Sequence, residues 1–174
     1  MAIAALVAGL SACSATPSAD VAVDPNASAL PSMTGACGAV ELPPLQEGGH
    51  LLGDTAPPVP YSSLPPTSGW HASGAPERGV VAQPLSDPDL VLALEVGDVV
   101  AAYDPARLDA DAIATLEAEA SSTFVDRLTV TTYPDQPTAL SLLAWGVLQR
   151  CDDLDSAVLA DFVLSHAGAT LDQH

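Results

Sequence analysis

The chain has no lysine and only four basic side chains, all arginine, against 22 Asp and Glu residues, so its 174 residues carry a formal net charge of −18 at pH 7. Proteins that bind nucleic acids or anionic headgroups use Lys and Arg to neutralise phosphates. Aromatic residues make up only 4% of the chain, too few to favour a platform that stacks bases or sugars. We therefore expect a solvated acidic surface and no nucleic-acid partner.

The sequence also lacks the local motifs of common enzyme classes. It has no glycine-rich phosphate loop, no G-x-S-x-G turn, and no cysteine near a histidine for nucleophilic attack. Ser68 lies close to His71 along the chain, but neighbouring residues on a turn seldom point together, so we do not expect a serine hydrolase. A protein without catalytic activity is the preferred hypothesis, and the question of an enzyme stays open.

The N-terminus contains a short apolar run, AIAALVAGL over residues 2–10, which is shorter than the roughly 20 residues of a membrane span. The tetrapeptide LSAC, ending at Cys13, resembles the lipobox of bacterial lipoproteins. We predict a lipoprotein-type signal peptide over residues 1–12, and a lipid on Cys13 that anchors the protein to the extracytoplasmic face of the cell membrane. No basic residue precedes the run, which a start codon placed too far downstream would explain. An ordinary signal peptide cut nearby is the alternative.

A linker and a cysteine pair follow the signal peptide. Residues 13–36 are small, polar and rich in proline, without helical or alternating periodicity, and we predict a flexible tether there. Beyond Cys13 the chain has two cysteines, Cys37 and Cys151. An even pair in an exported protein predicts a disulfide, which would tie the start of the folded domain to its last helix. Two free buried thiols are the alternative.

Residues 41–88 are rich in Pro, Gly and Ser, which predicts an extended, turn-rich segment ahead of the regular structure. Within it, YSSLPPTSGWH over residues 61–71 contains a double proline and Gly69. These residues restrict the backbone, so that Trp70 and His71 should be presented in a defined direction. This Trp-His loop is either a ligand site or a lid that Trp70 pins to the core. The residues favour the lid.

Regular elements are predicted after the proline-rich segment, in the order strand, helix, strand, strand, helix. The signals are an apolar stretch at 90–103 with a turn or bulge at Gly97, a helix with an Asp109 N-cap, the strands RLTVTTY (127–133) and TALSLLAWG (138–146), and an amphipathic helix that stops at Gly168. We predict one α+β domain over residues 37–174, with a small, mainly antiparallel sheet and two helices on one face.

Four separated motifs resemble a known family: GGH at 48–50, PPTSGWH ending at His71, LVLALEVGDVVAAYDP from Leu90, and LLAWG ending at Gly146. They occur in the order of a bacterial family catalogued as domain of unknown function 3105, over roughly residues 48–167. The resemblance implies that the acid at Glu95 is bracketed by two histidines, at positions where this chain has Leu92 and Val96. It implies no activity, because none is established for the family.

Glu95 stands in the apolar stretch, where a carboxylate is costly unless it meets hydrogen-bond donors or reaches a surface opening. With His50 and His71 it forms a candidate three-ligand site for a divalent transition metal, since imidazole and carboxylate suit such ions. Two imidazoles implied by the resemblance are aliphatic here. A structural Glu95 that accepts hydrogen bonds, with no cofactor, is therefore the preferred hypothesis.

Two functions follow from these observations. The preferred one is a membrane-anchored extracytoplasmic lipoprotein whose domain binds or scaffolds an unknown protein partner without catalysis. The alternative is a degenerate metal-binding or metal-dependent enzyme-like domain that retains a site at His50, His71 and Glu95. Convergence of these three side chains in the structure would favour the alternative.

Overall fold

A computed structural model, which describes residues 35–53 and 55–168, contains a five-stranded sheet and three α-helices in that part of the chain. Cys13, the predicted signal peptide and most of the predicted tether lie outside the described residues. The elements in chain order are β1 (Gly79–Val80), α1 (Asp87–Glu95), β2 (Val99–Tyr103), α2 (Ala110–Ser122), β3 (Leu128–Thr132), β4 (Leu140–Ala144), β5 (Val147–Cys151) and α3 (Ser156–His166). None of these helices has the length and apolar character needed to cross a bilayer.

The sheet is mixed, with the strand order β1-β3-β2-β4-β5. β3 lies parallel to both β1 and β2, whereas β4 is antiparallel to β2 and to β5. Parallel neighbours require a crossover, which α2 provides between β2 and β3, while Trp145 and Gly146 join β4 and β5 in a tight hairpin. The predicted α+β class is confirmed. The sheet is mixed rather than mainly antiparallel because a helix connects two adjacent strands.

Helices cover both faces of the sheet. On one face, Val99 and Ala101 of β2 belong to the same core as Leu116 of α2 and Phe162 of α3. On the other face, Val100 of β2 packs against α1. Alternate strand residues point to opposite faces, so β2 is buried along its whole length. The two helices predicted on one face are α2 and α3, and α1 is a third helix that the sequence pattern did not reveal.

The apolar stretch at 90–103, predicted to be a strand pair or one bent strand with a turn or bulge at Gly97, begins inside α1. Ser86 caps this helix with its side chain, and Pro88 lies in the first turn, both of which favour a helix start. The middle of α1 is buried on all sides, so the run has no one-sided periodicity and its pattern cannot separate helix from strand. The prediction was wrong for this part: Glu95 ends a helix, and β2 begins only after a turn at Gly97.

The later elements agree with the sequence prediction. α2 starts at the predicted Asp109 N-cap, whose side chain accepts the Asp111 amide hydrogen. β3 and β4 lie within the predicted strands, and α3 is followed by Gly168 with a positive φ of 85°. β5 was not predicted, because its short sequence VLQRC mixes polar and apolar residues without a clear alternation.

The segment ahead of β1 runs along the outer edge of β5, and we call residues 37–51 the strap. A disulfide joins Cys37 to Cys151, with an S–S distance of 2.09 Å, as the cysteine pair predicted, but Cys151 ends β5 and does not belong to the last helix. Glu41 and Leu148 exchange both backbone hydrogen bonds, at 2.7 and 3.0 Å. The strap therefore extends the sheet beyond β5 and covers that edge.

Candidate metal centre

The strap passes the β4–β5 hairpin and then pairs with the Trp-His loop. His50 and His71 face each other in a parallel bridge. Leu51 donates its amide hydrogen to the carbonyl of His71 at 2.8 Å, and His71 donates to the carbonyl of Gly49 at 3.2 Å. As a result, two imidazole rings from separate segments have centroids 4.8 Å apart.

This pairing depends on the absence of a side chain at Gly48. A Cβ on Gly48 would lie 2.1 Å from the carbonyl carbon and oxygen of Gly69 and 2.5 Å from the nitrogen of Trp70. On Gly49 a Cβ would meet only Cζ3 of Trp70, at 3.6 Å, which is an ordinary contact. The first glycine of GGH therefore allows two backbones to touch, and this contact places His50 beside the loop.

His71 is the buried member of the pair, with only 4% of its surface exposed. Its Nδ1 lies 2.9 Å from the carbonyl oxygen of Gly69. Because a carbonyl oxygen only accepts, Nδ1 carries the hydrogen of this bond, and Nε2 of the neutral ring holds a lone pair. Metal-ligating histidines are typically oriented in this way, by a backbone carbonyl on the second ring nitrogen.

Glu95, the last residue of α1, places its Oε2 2.9 Å from Nε2 of His71. This nitrogen is buried, and its separation from the oxygen is that of an ion pair. A doubly protonated His71 would carry an N–H on Nε2 and pair with the carboxylate, whereas the neutral ring presents a lone pair there. A metal ion would bond both that lone pair and the carboxylate oxygen.

The structure brings all three predicted ligands together. One ligand atom from each of His50, His71 and Glu95 lies within 4.8 Å of the other two. Around a zinc ion with bonds of about 2.0–2.1 Å, tetrahedral ligand atoms lie roughly 3.3 Å apart. The His71–Glu95 pair is slightly closer than this, and His50 is exposed, so its ring is free to rotate toward the other two ligands.

His71 and Glu95 open onto a cleft of about 690 Å³. The other residues that line it are Leu45, Gln46, Glu47, Gly48, Gly69 and Trp145. The sequence motifs include Trp145, within LLAWG, but do not predict a place in the site for Gln46 or Glu47. Gln46 and Glu47 directly precede the GGH motif in the sequence. This position could have indicated that they lie near the site, because Gly48 contacts the backbone of the Trp-His loop.

The positions that the resemblance associates with two further histidines have unlike surroundings. Leu92 lies one turn before Glu95 on α1 and is 4% exposed. Val96 is the C-cap of α1 and is 39% exposed. Since residues three apart on a helix are neighbours, position 92 is adjacent to the carboxylate, but an aliphatic side chain contributes no ligand there.

A hydrogen bond of Ser68 to the strap and one of Tyr61 within the loop hold the Trp-His loop in place, and the loop carries His71, one of the three candidate ligands. Ser68 is 1% exposed, and its Oγ accepts the Gln46 amide hydrogen at 3.0 Å. The Tyr61 hydroxyl donates to the carbonyl of Trp70 at 2.6 Å. Ser68 therefore holds the strap, and Nδ1 of His71 is bonded to Gly69 rather than to the serine.

Two tyrosines, Tyr61 and Tyr133, lie near Asp87 in the first turn of α1, the helix that carries Glu95. The Tyr133 hydroxyl donates to Oδ1 of Asp87 at 2.9 Å. Burial is the main cause that raises the pKa of Tyr133, and the hydrogen bond to Asp87 and the charge of Asp87 raise it further. Burial, followed by the charge of Asp87, raises the pKa of Tyr61 to about 12. Both phenols therefore stay neutral in the folded protein well above neutral pH.

Residues 54–173 match the model of the family described as protein of unknown function, DUF3105. His71 and Glu95 lie inside this range, whereas His50 and the rest of the strap precede it. No curated protein and no solved structure shows significant similarity to the chain. Because the family match spans more than half of the 174 residues, the resemblance read from the motifs is confirmed, and the chain belongs to the DUF3105 family of proteins of unknown function.

Proposed function

We propose that this chain is a lipid-anchored, extracytoplasmic domain that binds a divalent transition metal ion through His50, His71 and Glu95. The observation that carries the metal proposal is the convergence of the three side chains, with one ligand atom from each within 4.8 Å of the other two and Nε2 of His71 2.9 Å from a Glu95 oxygen. An ion pair between His71 and Glu95 would account for these two residues without a metal, but it gives no role to the second imidazole, that of His50. The convergence of all three therefore supports the metal alternative.

The donor set indicates the class of metal. Two imidazole nitrogens and one carboxylate oxygen suit zinc and its first-row neighbours, whereas calcium and magnesium prefer oxygen ligands. Three protein ligands beside an open cleft are typical of sites that keep one position for an exchangeable ligand. We therefore propose a site that binds Zn²⁺, or Co²⁺ as its spectroscopic substitute, with one position available.

Metal content and affinity of the purified full chain test this proposal. We expect about one Zn²⁺ or Co²⁺ ion per chain, and His71→Ala should weaken binding by at least about 100-fold because it removes the buried ligand. His166→Ala is the matched control, since the His166 ring contacts Phe162 within α3 and is not one of the three candidate ligands, and this variant should bind metal normally. A native chain that binds no metal, or a His71→Ala variant with native affinity, would contradict the proposal.

The anchoring part of the proposal is supported by the apolar run before Cys13 and by the disulfide between Cys37 and Cys151. Disulfides persist mainly in oxidising compartments outside the cytoplasm. Cys13→Ala should move the protein from the membrane fraction of cells to the soluble fraction. Equal membrane partitioning of both proteins would contradict lipid anchoring and leave the metal proposal intact.

A further inference from the structure

We propose that residues 42–45 of the strap, together with the Trp-His loop, dock on the surface of the lipid bilayer to which the protein is anchored. The inference rests on the anchoring part of the proposed function and adds the surface of the domain that meets the membrane. Single exposed apolar residues are common in proteins, whereas several on one surface mark a contact with a membrane or with a partner.

Three exposed leucines form the apolar part of this face. Leu42 and Leu45 flank a pair of prolines and are 76% and 56% exposed, and Leu64 of the Trp-His loop is 57% exposed. Proline fixes its own φ and restricts the residue before it, so Pro43 and Pro44 limit the conformations in which the two flanking leucines can turn back onto the domain. Burial of these side chains in hydrocarbon would remove apolar surface from water.

Hydrogen bonds join the strap and the Trp-His loop into one face. The Arg150 guanidinium donates to the carboxylate of Glu41 at 2.6 Å and to the carbonyl of Leu64 at 3.1 Å. The side-chain oxygen of Gln46 accepts the Ser62 amide hydrogen at 2.6 Å. The residues on either side of the 42–45 segment are thus linked to the loop that carries the third leucine.

The same face is almost free of charge in a strongly acidic chain. Residues 36–46 and 55–76 contain no Lys or Arg and one acid, Glu41, whereas an even distribution of the 22 acids over 174 residues would place about four there. Arg150 pairs with Glu41, and Glu47 borders the face. Because the other acids are repelled by anionic headgroups, this uncharged face is the one that the domain can turn toward a membrane.

The position of the predicted anchor selects a lipid surface as the occupant. The strap begins at Cys37, so only residues 14–36 separate it from the proposed lipid on Cys13. A chain of this length spans at most about 85 Å, which keeps the strap within reach of the bilayer. The resulting high effective concentration allows a small apolar face to dock that would bind too weakly from solution.

Quenching of tryptophan fluorescence by brominated lipids tests the proposal. The full chain with its lipid, carrying Leu42→Trp, is incorporated into phosphatidylcholine vesicles with or without bromine on the acyl chains, and the emission of the native chain is subtracted. We expect bromine to lower the added emission at least about two-fold, because docking places the residue at the boundary of the acyl chains. Leu164→Trp is the matched control, since Leu164 is 66% exposed on α3, outside the proposed face, and its emission should not change.

Emission at position 42 that bromine leaves unchanged, or lowers no more than at position 164, overturns the proposal. Emission shifted to the blue without quenching would place the side chain against protein, from a second copy or another partner, and also overturns it. A chain that does not float with the vesicles overturns the anchoring proposal itself, which distinguishes that failure from an anchored chain whose leucines stay in water.

Discussion

Replacing Gly48 by alanine tests whether contact between the strap and the Trp-His loop builds the site. The new Cβ would lie 2.1 Å from the carbonyl carbon of Gly69, whereas ordinary contacts begin at 3.4 Å. The two backbones must therefore separate by roughly 1.3 Å. The hydrogen bond from His71 to Gly49, 3.2 Å long, and the 2.8 Å bond from Leu51 to His71 would then exceed hydrogen-bonding distance.

The expected loss of stability in Gly48→Ala can be estimated from these changes. Two backbone hydrogen bonds contribute about 1 kcal/mol each, and overpacking adds about 1–3 kcal/mol, so the pairing should become about 3–5 kcal/mol less stable. The disulfide and the Glu41–Leu148 hydrogen bonds hold the first half of the strap, so we expect local opening around His50 rather than global unfolding. Moving His50 away from His71 should weaken metal binding at least about ten-fold, the equivalent of about 1.4 kcal/mol.

Gly49→Ala is the matched control, because it adds the same methyl group to the adjacent residue, where the Cβ meets only Trp70 at 3.6 Å. Hydrogen exchange of the His71 amide, the free energy of unfolding in urea and the affinity for Co²⁺ are measured for both variants. Gly49→Ala should stay within about 0.5 kcal/mol of the native chain and bind metal normally. If the two variants give the same exchange rate and affinity, the reasoning that this backbone contact positions His50 is refuted.

The remaining predictions concern the disulfide and the tyrosines. Substituting both Cys37 and Cys151 by serine should lower the free energy of unfolding by about 4 kcal/mol, as expected when a loop with a sequence separation of 114 residues is opened; an unchanged urea midpoint would contradict this. The pKa of Tyr61 rises from 10.0 to about 12 through burial and the charge of Asp87, so its stabilising contribution should be complete below pH 10 and disappear as the pH rises through 12. Urea midpoints across this range should fall less in Tyr61→Phe, and an equally steep fall would argue against the assignment. Tyr133→Phe removes the 2.9 Å hydrogen bond to Asp87 and should cost about 1–2 kcal/mol at neutral pH, whereas an unchanged free energy of unfolding would mean that the bond contributes nothing.

The sequence was sufficient where the signal is local. α2 and α3 could be predicted from their Asp caps and one-sided apolar faces, and β3 and β4 from short runs bounded by turn residues. The disulfide followed from the two cysteines that remain beyond Cys13. The three candidate ligands followed from the motifs GGH and PPTSGWH, which resemble the family, and from the single acid in the apolar stretch that contains Glu95.

Only the tertiary structure decided which of these residues meet. The apolar residues of α1 are buried on every side, so helix and strand were equally compatible with their pattern, and packing against the sheet decided between them. The mixed sheet and the edge position of the strap likewise depend on contacts between distant segments. The 2.9 Å approach of Glu95 to His71 requires the end of α1 and the loop beside Gly48 to lie together. No periodicity in a single segment encodes that distance, because it is set by packing between segments.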